Sequence, residues 1–456
     1  MDKADGAPAI PTEDGLPTPR RYWAVLTIWL GIAMAVLDGA VANVALPTIA
    51  LDLNTDPGSS IWIVNAYQLA ITIALLPVAS LGDKLGHRRV YLVGLAIFTI
   101  GSLACAMSQS LIQLTAARVF QGLGAAVLMS ISSALLRHIF PTDRFGRGIG
   151  LNAVVISVAA AIGPTVASGV LAVASWQWLF AINLPFGIAA MMLGLRVLPH
   201  TVGSRAPLDF ISAGLNALAF GGLILGAERV ASDGPAAGLP VIAAGIAAAV
   251  ILVRRERHSA TPLLPFDLMR IPIFRLSILA SIVCFSAQML AFVALPFHFQ
   301  GVLGRTAVET GLLMTPWPLA VGVAAPFAGA LSDRYPAGLL GGLGLGAFAV
   351  GLGLLASLPD MPTDADILWR MAVCGIGFGL FQAPNNRTII AAAPRRRAGI
   401  AGGTMATARL LGQTTGAVVM AVLFHAAILH PTTTGLVVAA ALAACAALLS
   451  LWRLRV

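Results

Sequence analysis

Apolar runs of about twenty residues, the length that crosses a bilayer's hydrocarbon core, alternate with short polar segments along almost the whole chain. The pattern predicts spanning helices near 22–46, 59–81, 90–108, 111–136, 148–174, 178–198, 209–230, 236–253, 273–299, 306–331, 338–357, 366–386, 400–428 and 433–452. The span at 236–253 is the shortest of the fourteen. Residues 1–21 read as a disordered cytoplasmic tail containing Pro, Gly and Asp. The apolar run that follows is too long for a signal-peptide core and lacks a cleavage site, so it reads as a retained helix.

Charge tests this helix count. With both termini in the cytosol, the inside segments hold 23 of the 28 Lys and Arg residues. The outside loops hold only Arg229 and Arg305, and Arg118, Arg370 and Arg409 lie within helices. Such asymmetry is what the positive-inside rule demands. A miscount by one helix would destroy it, so the number of spans is even.

Two stretches about 250 residues apart resemble each other: PVASLGDKLGHRR at 77–89 and PFAGALSDRYPAG at 326–338. Each runs from a proline through small residues to an acid–base pair, Asp83-Lys84 and Asp333-Arg334. Arg118 precedes Gly122 and Gly124 in the fourth span, and Arg370 precedes Gly375 and Gly377 in the twelfth. The expected fold is therefore an all-α polytopic bundle, N-in and C-in, of six plus two plus six helices. Its divisions fall at 22–200, 201–258 and 259–456. Paired helical repeats are the usual build of alternating-access carriers.

Composition narrows the class. Only 10% of residues are charged, against 58% hydrophobic, where a soluble protein carries about 25% charged. Most of the surface must therefore face lipid. The net charge of +9 lies in clusters between apolar runs, where it orients the chain, and not on a face for nucleic acid. Cys105, Cys284, Cys374 and Cys445 lie inside apolar segments without metal-ligand spacing. His298, His425 and His430 are isolated, which argues against an enzyme. No loop is long enough for a sensor's signalling domain, and no P-loop motif is present to use ATP.

Charge buried in a bilayer is expensive and marks function. Asp38 and Arg118 fall about 10–12 Å below the outer surface at 1.5 Å rise per residue, which makes them a plausible pair. Burial favours the neutral acid and a nearby guanidinium favours the carboxylate, so water access or a moving partner would switch Asp38. Proton binding by Asp38, tuned by Arg118, is one reading, and a permanent ion pair locking two helices is the other. Arg409 would meet an anionic substrate, or bond to carbonyls near Gly412 and Gln413. In the loop at 81–89, Gly82 and Gly86 permit a tight turn. Asp83 would cap the next helix or pair across the bundle, while Arg88 and its basic neighbours stay in the cytosol. This loop and Asp333-Arg334 read as a cytoplasmic latch or as a simple anchor. Gly163-Pro164 interrupts the fifth span, as Pro316, Pro318 and Pro326 do the tenth. Gln68, Gln121, Gln288, Met289, Phe292, Trp317, Phe381 and Gln382 are candidates to line a substrate cavity.

These residues resemble the major facilitator superfamily, and within it the fourteen-helix drug:proton antiporters. LDGAVANVALPTI (37–49) is similar to that branch's first-helix signature. SLGDKLGHRRVYL (80–92) is similar to the superfamily's helix 2–3 loop, with Ala79 in place of the leading glycine. LTAARVFQGLGAA (114–126) is similar to the fourth-helix motif that supplies Arg118 and Gln121. WQWLFAINLPFG (176–187) resembles the sixth-helix entry, and ARLLGQTTGA (408–417) the thirteenth-helix pattern with Arg409 and Gly412. The fifth-helix antiporter motif is partly kept: Gly163-Pro164 is followed by Ala167-Ser168, with Gly169 one place late.

The resemblance implies a monomeric carrier in the bacterial cytoplasmic (inner) membrane. It would export amphipathic or cationic drugs in exchange for protons, with no cofactor beyond the coupling proton. A dedicated exporter of one metabolite or self-made antibiotic is the alternative within transport.

Overall fold

The structure is a computed structural model and describes residues 15–141, 144–201, 203, 209–256, 266–394, 398–426 and 428–455. Its fourteen helices long and apolar enough to cross a membrane are taken here as α1–α14. The first six are α1 Arg20–Asp52, α2 Trp62–Leu85, α3 His87–Ala106, α4 Leu111–Ile139, α5 Phe145–Val173 and α6 Trp178–Val197. A central pair follows, α7 Phe210–Ser232 and α8 Pro235–Glu256. The last six are α9 Pro272–Phe297, α10 Ala307–Leu331, α11 Ala337–Ala356, α12 Asp364–Ala392, α13 Ala398–His425 and α14 Pro431–Trp452. The span expected to be the shortest, α8, reaches 22 residues with a mean hydropathy of 2.4.

Part of the expected tail, residues 1–14, lies outside the described residues, as do Arg205, Arg257 and Arg395–Arg397. The remainder of the tail is held, contrary to expectation. The Leu16 amide donates to the Ile139 carbonyl at 3.0 Å, and Arg20 Nε to the Val197 carbonyl at 3.0 Å. α1 starts at Arg20, whose side chain reaches the end of α6, while the Leu16 backbone amide reaches the end of α4.

Without a hydrophobic drive between helices in lipid, close approach depends on small residues. A Cβ on Gly124 of α4 would lie 2.4 Å from the Phe98 amide nitrogen of α3. Gly377 of α12 faces Phe348 of α11 in the same way, at 2.5 Å. Gly122 presses on the Tyr67 carbonyl and Gly375 on the Trp317 carbonyl. The sequence repeat thus recurs atom by atom. The helix pairings recur as well: α1 packs on α5 and α6 as α9 does on α13 and α14, and α4 packs on α2 and α3 as α12 does on α10 and α11. The two sets meet along α5 with α10 and α2 with α13, while α7 and α8 pair mainly with each other and α7 leans on α2 and α13.

α5 explains its own irregular motif. Gly163, Pro164, Ala167 and Ser168 are buried along one face, whereas Gly169 is exposed with nothing near it. Gly163 abuts Ala40 of α1. Gly311 of α10 lies so close to Ser168 Oγ and the Pro164 carbonyl that no Cβ fits there. The missing glycine of α5 is thus supplied from the opposite helix. Proline breaks α10 in two at Thr315, with Pro316 opening the second segment.

Four polar contacts tie the two sets together near the C-terminal ends of α1, α5 and α13. Gln300 Nε2 donates to the Val44 carbonyl at 3.2 Å and its Oε1 accepts from Thr48 at 3.3 Å. Thr165 and Thr315 share a hydrogen bond at 2.9 Å, and His425 lies 4.0 Å from Asp56.

Replacing Gly124 by leucine is expected to lower stability by about 1–3 kcal/mol through overpacking, while Gly169→Ala leaves it unchanged. Thermal unfolding of the two variants in detergent checks the difference.

Candidate functional site

A buried polar centre in the first six helices is assembled residue by residue. Asp38 is 1% exposed and Arg118 fully buried. The structure joins them: Arg118 Nη1 donates to Asp38 Oδ2. The other carboxylate oxygen, Oδ1, accepts from Gln121 Nε2 and from Asn183 Nδ2, each at 2.9 Å. Gln121 lies one turn after Arg118 on α4, so it accepts from Arg118 Nη1 at 2.7 Å and donates to Ser102 Oγ of α3 at 2.8 Å. Arg118 Nε donates to the Ile63 carbonyl of α2 at 3.0 Å. The Tyr67 ring covers the guanidinium face at 3.9 Å, a cation–π contact. Every buried charge here has a partner, which is the condition for keeping an ion pair out of water.

Beside this centre lies a cavity between the two halves. It offers about 170 Å³ to the centres of water-sized molecules, room for roughly a dozen waters at about 10–15 Å³ each. Of the expected lining residues, Gln68, Gln288, Met289, Phe292, Trp317 and Gln382 are on its wall. Two are not. Gln121 is spent on Asp38 and Arg118, and Phe381 is packed between α11 and α12 against Gly341 and Gly344. Both lie on the buried inner faces of their helices, and the sequence does not separate such a face from a cavity wall.

Tyr67, Asn43, Phe285, Phe378 and Gln413 also line the cavity, and the sequence reading missed them. Gln413 lies one helical turn beyond Arg409, a spacing that offered a signal. Tyr67 touches both places: it lines the cavity, stacks on Arg118 and donates its hydroxyl to the Ala35 carbonyl at 2.7 Å. It stands as a wall between the cavity and Asp38. Asp38 is thus engaged on both oxygens and is not among the residues that line the cavity.

Arg409 is on the cavity wall. The bonds to carbonyls near Gly412 and Gln413 are not formed, and its Nε is buried without a hydrogen bond. Gly412 has a packing role instead, with the Ile282 carbonyl of α9 within 2.4 Å of where its Cβ would be.

The other expected residues lie at helix ends. Asp83 neither caps α3 nor crosses the bundle, because α2 continues to Leu85 and places its carboxylate 3.1 Å from His87 Nε2. The turn comes at Gly86, whose φ of +91° and contact with the Thr201 carbonyl exclude a side chain. Gly82 gives room to Ile131, and Arg88 reaches His200 and the Leu195 carbonyl past α6. Asp333 pairs with Arg387 of α12, and Arg334 is exposed. Among the described residues no three His, Cys, Asp or Glu gather to hold a metal, and the four cysteines are free.

A helical membrane protein with a central cavity beside a buried charge pair has the build of a small-molecule carrier. The Major Facilitator Superfamily model matches residues 28–417. The chain is 54% identical over 444 residues to the uncharacterized transporter YebQ of Escherichia coli, covering 96% of each chain. It is 32% identical to the riboflavin transporter RibZ of Clostridioides difficile, covering 86% of each, and 32% identical to the tetracenomycin C resistance and export protein of Streptomyces glaucescens, covering 88% of this chain and 76% of that one. In fold it is similar to a bacterial homologue of the lysosomal transporter Spinster, at TM-score 0.69 and 13% identity over 96% of this chain and 98% of that one. A POT family transporter gives TM-score 0.71 at 15% identity over 94% and 95%.

The chain belongs to the Major Facilitator Superfamily. It is a secondary transporter of small molecules and not an enzyme, a multi-pass membrane protein consistent with a bacterial inner membrane.

Removing one partner of the ion pair leaves the other charge buried, at a cost of about 3–5 kcal/mol. Arg118→Leu alone is expected to destabilise by about that much, and adding Asp38→Asn to recover part of the loss. A double-mutant cycle of unfolding midpoints measures the coupling.

Proposed function

We propose that the protein exports small amphipathic molecules across the cytoplasmic membrane in exchange for protons, as a monomer working by alternating access. The moving units are the two six-helix halves at 22–200 and 259–456, with α7–α8 as an accessory pair. The repeated helix pairings support this division, and relatives named for drug resistance or export support the direction.

The observation that carries the proposal is the Asp38–Arg118 centre behind Tyr67. With Asp38 ionised, the ion pair holds α1 to α4. A proton arriving at Asp38 removes the attraction, while Arg118 keeps Gln121 Oε1, the Ile63 carbonyl and the Tyr67 ring. The guanidinium thus keeps neutral acceptors for Nη1 and Nε but loses its counter-charge, a cost that favours rearrangement of the pair. Loosening frees α1 to shift against α4, and α1 also carries Gly39, Ala40 and Asn43 of the cavity wall. Protonation and cavity shape are thereby linked through one helix.

Read with both termini in the cytosol, the Thr48–Gln300, Thr165–Thr315 and Asp56–His425 contacts form an outer seal, and the cavity faces inward. The helix-end pairs Asp83–His87 and Asp333–Arg387 then sit at the inner face, each within its own half and unlatched from the other.

Asp38→Asn is expected to abolish accumulation driven by an imposed pH gradient in proteoliposomes while leaving substrate exchange across the membrane. Gradient-driven uptake at the unmodified rate in that variant removes the proton role of Asp38. Cross-linking cysteines placed at Thr165 and Thr315 is expected to halt turnover at the closed outer seal, read as loss of transport that reductant restores.

A further inference from the structure

The chemistry of the cavity wall sharpens the substrate class, an inference that rests on the cavity being the transport site. Among the described lining residues Arg409 is the sole charged side chain. Nothing in the described structure neutralises it. No hydrogen bond or ion pair engages its guanidinium, and its Nε is a buried donor without an acceptor. Trp317, fully buried and also lining the cavity, likewise has an indole N–H with no partner. Asp38, the buried carboxylate near the cavity among the described residues, is set behind Tyr67 and occupied by Arg118, Gln121 and Asn183. The cavity therefore has donors to spare and no anion of its own. Asn43 Oδ1 is an unpartnered acceptor there, but as a neutral amide it balances no charge.

An arginine held partly out of water without a counter-charge is costly. The cost is relieved when a ligand brings the missing acceptor, and a guanidinium fits a carboxylate through two parallel hydrogen bonds. Gln413, one turn further along α13, and Gln288 and Gln382, also on the cavity wall, supply neutral amides that adapt to either donors or acceptors. The remaining wall is aromatic. Phe292 and Trp317 lie with centroids 4.8 Å apart and planes inclined at 41°, and Phe285 meets Phe378 edge-on at 5.5 Å. Such faces take a flat ring by stacking.

We infer that the cavity binds a flat aromatic molecule carrying a carboxylate, with Arg409 as the residue that recognises the carboxylate. The transported class is thus aromatic acids, a narrower class than the amphipathic or cationic drugs that the resemblance implied. The volume of about 170 Å³ suits a compound of one or two fused rings.

The test is equilibrium binding to the full-length protein in nanodiscs, without any gradient, using three probes of one shape: 2-naphthoate, 2-naphthamide and 2-naphthylmethylammonium. The unmodified protein is expected to bind the carboxylate at least tenfold more tightly than the ammonium, with the amide between. Arg409→Met is expected to erase that preference, and Arg409→Lys to keep part of it by retaining charge without the bidentate fit. A thermal unfolding midpoint within a few degrees of the unmodified protein shows that each variant is folded, and the lysine variant carries the test if the methionine one is not.

Tighter binding of the ammonium, absence of carboxylate binding at millimolar concentration, or an unchanged preference in a folded Arg409 variant each overturns the assignment. Because no proton gradient is applied, failure here leaves the antiport reading standing. Conversely, loss of coupling in Asp38→Asn leaves the charge preference intact. If Trp317→Ala and Arg409→Met both bind 2-naphthoate as tightly as the unmodified protein, the probe sits elsewhere and the cavity itself is displaced as the binding site.

Discussion

The buried pair of Asp38 and Arg118 organises the first half of the molecule. Its hydrogen bonds reach α1 through Asp38, α2 through the Ile63 carbonyl, α3 through Ser102, α4 through Gln121 and α6 through Asn183. Five helices thus converge on one carboxylate and one guanidinium that water does not reach. In a low-dielectric interior an ion pair is held by additional hydrogen bonds to its donors and acceptors. Here Gln121 uses both amide hydrogens and its carbonyl oxygen for this, while Arg118 Nη2 is left without a hydrogen bond. That demand fixes the rotation of α1 and α4, and through them which residues face the cavity.

Packing elsewhere follows a different rule. Lipid gives helices no hydrophobic reason to associate, so contact depends on how closely backbones approach. Gly122 and Gly124 in α4, and Gly375 and Gly377 in α12, bring backbone against backbone at matched places in the two halves. The repeat keeps this packing while dropping the charge: among the described residues the second half has no counterpart of Asp38 bonded to an arginine within its core. Arg370 instead donates to the Leu354 carbonyl at 3.0 Å. One half carries the titratable centre and the other contributes the unpartnered cation of the cavity wall. On the proposed reading, a carrier built this way separates the proton site from the cargo site, with Tyr67 between them.

Much of the architecture was legible in the sequence. Apolar run lengths and the placement of arginines gave the fourteen spans, because bilayer thickness and the cost of translocating charge act on local composition. α8, marginal by length, proved strongly apolar once its true ends at Pro235 and Glu256 were visible. The pairing of Asp38 with Arg118 was legible from depth alone, since two intramembrane charges at one level in a single bundle must find each other or pay heavily. The departure of α5 from its motif was not interpretable from α5, because the compensating residue is Gly311 on another helix.

What the sequence determined by itself was everything governed by one dimension: helix number, the internal repeat and the residues too polar for lipid to leave unpaired. What only the tertiary structure decided was direction around each helix axis. Gln121 and Gln382 are the same residue type on equivalent helices, yet the first is locked in the charge centre and the second lines the cavity. Asp38 and Arg409 are both intramembrane charges, yet one is neutralised and walled off and the other faces the cavity without a partner. In a chain where nearly every helix is apolar on all sides, amphipathic periodicity is too weak to say which face points inward. The fit of small residues against neighbouring backbones, joined in α1 and α4 by the hydrogen bonds of the buried pair, sets that rotation.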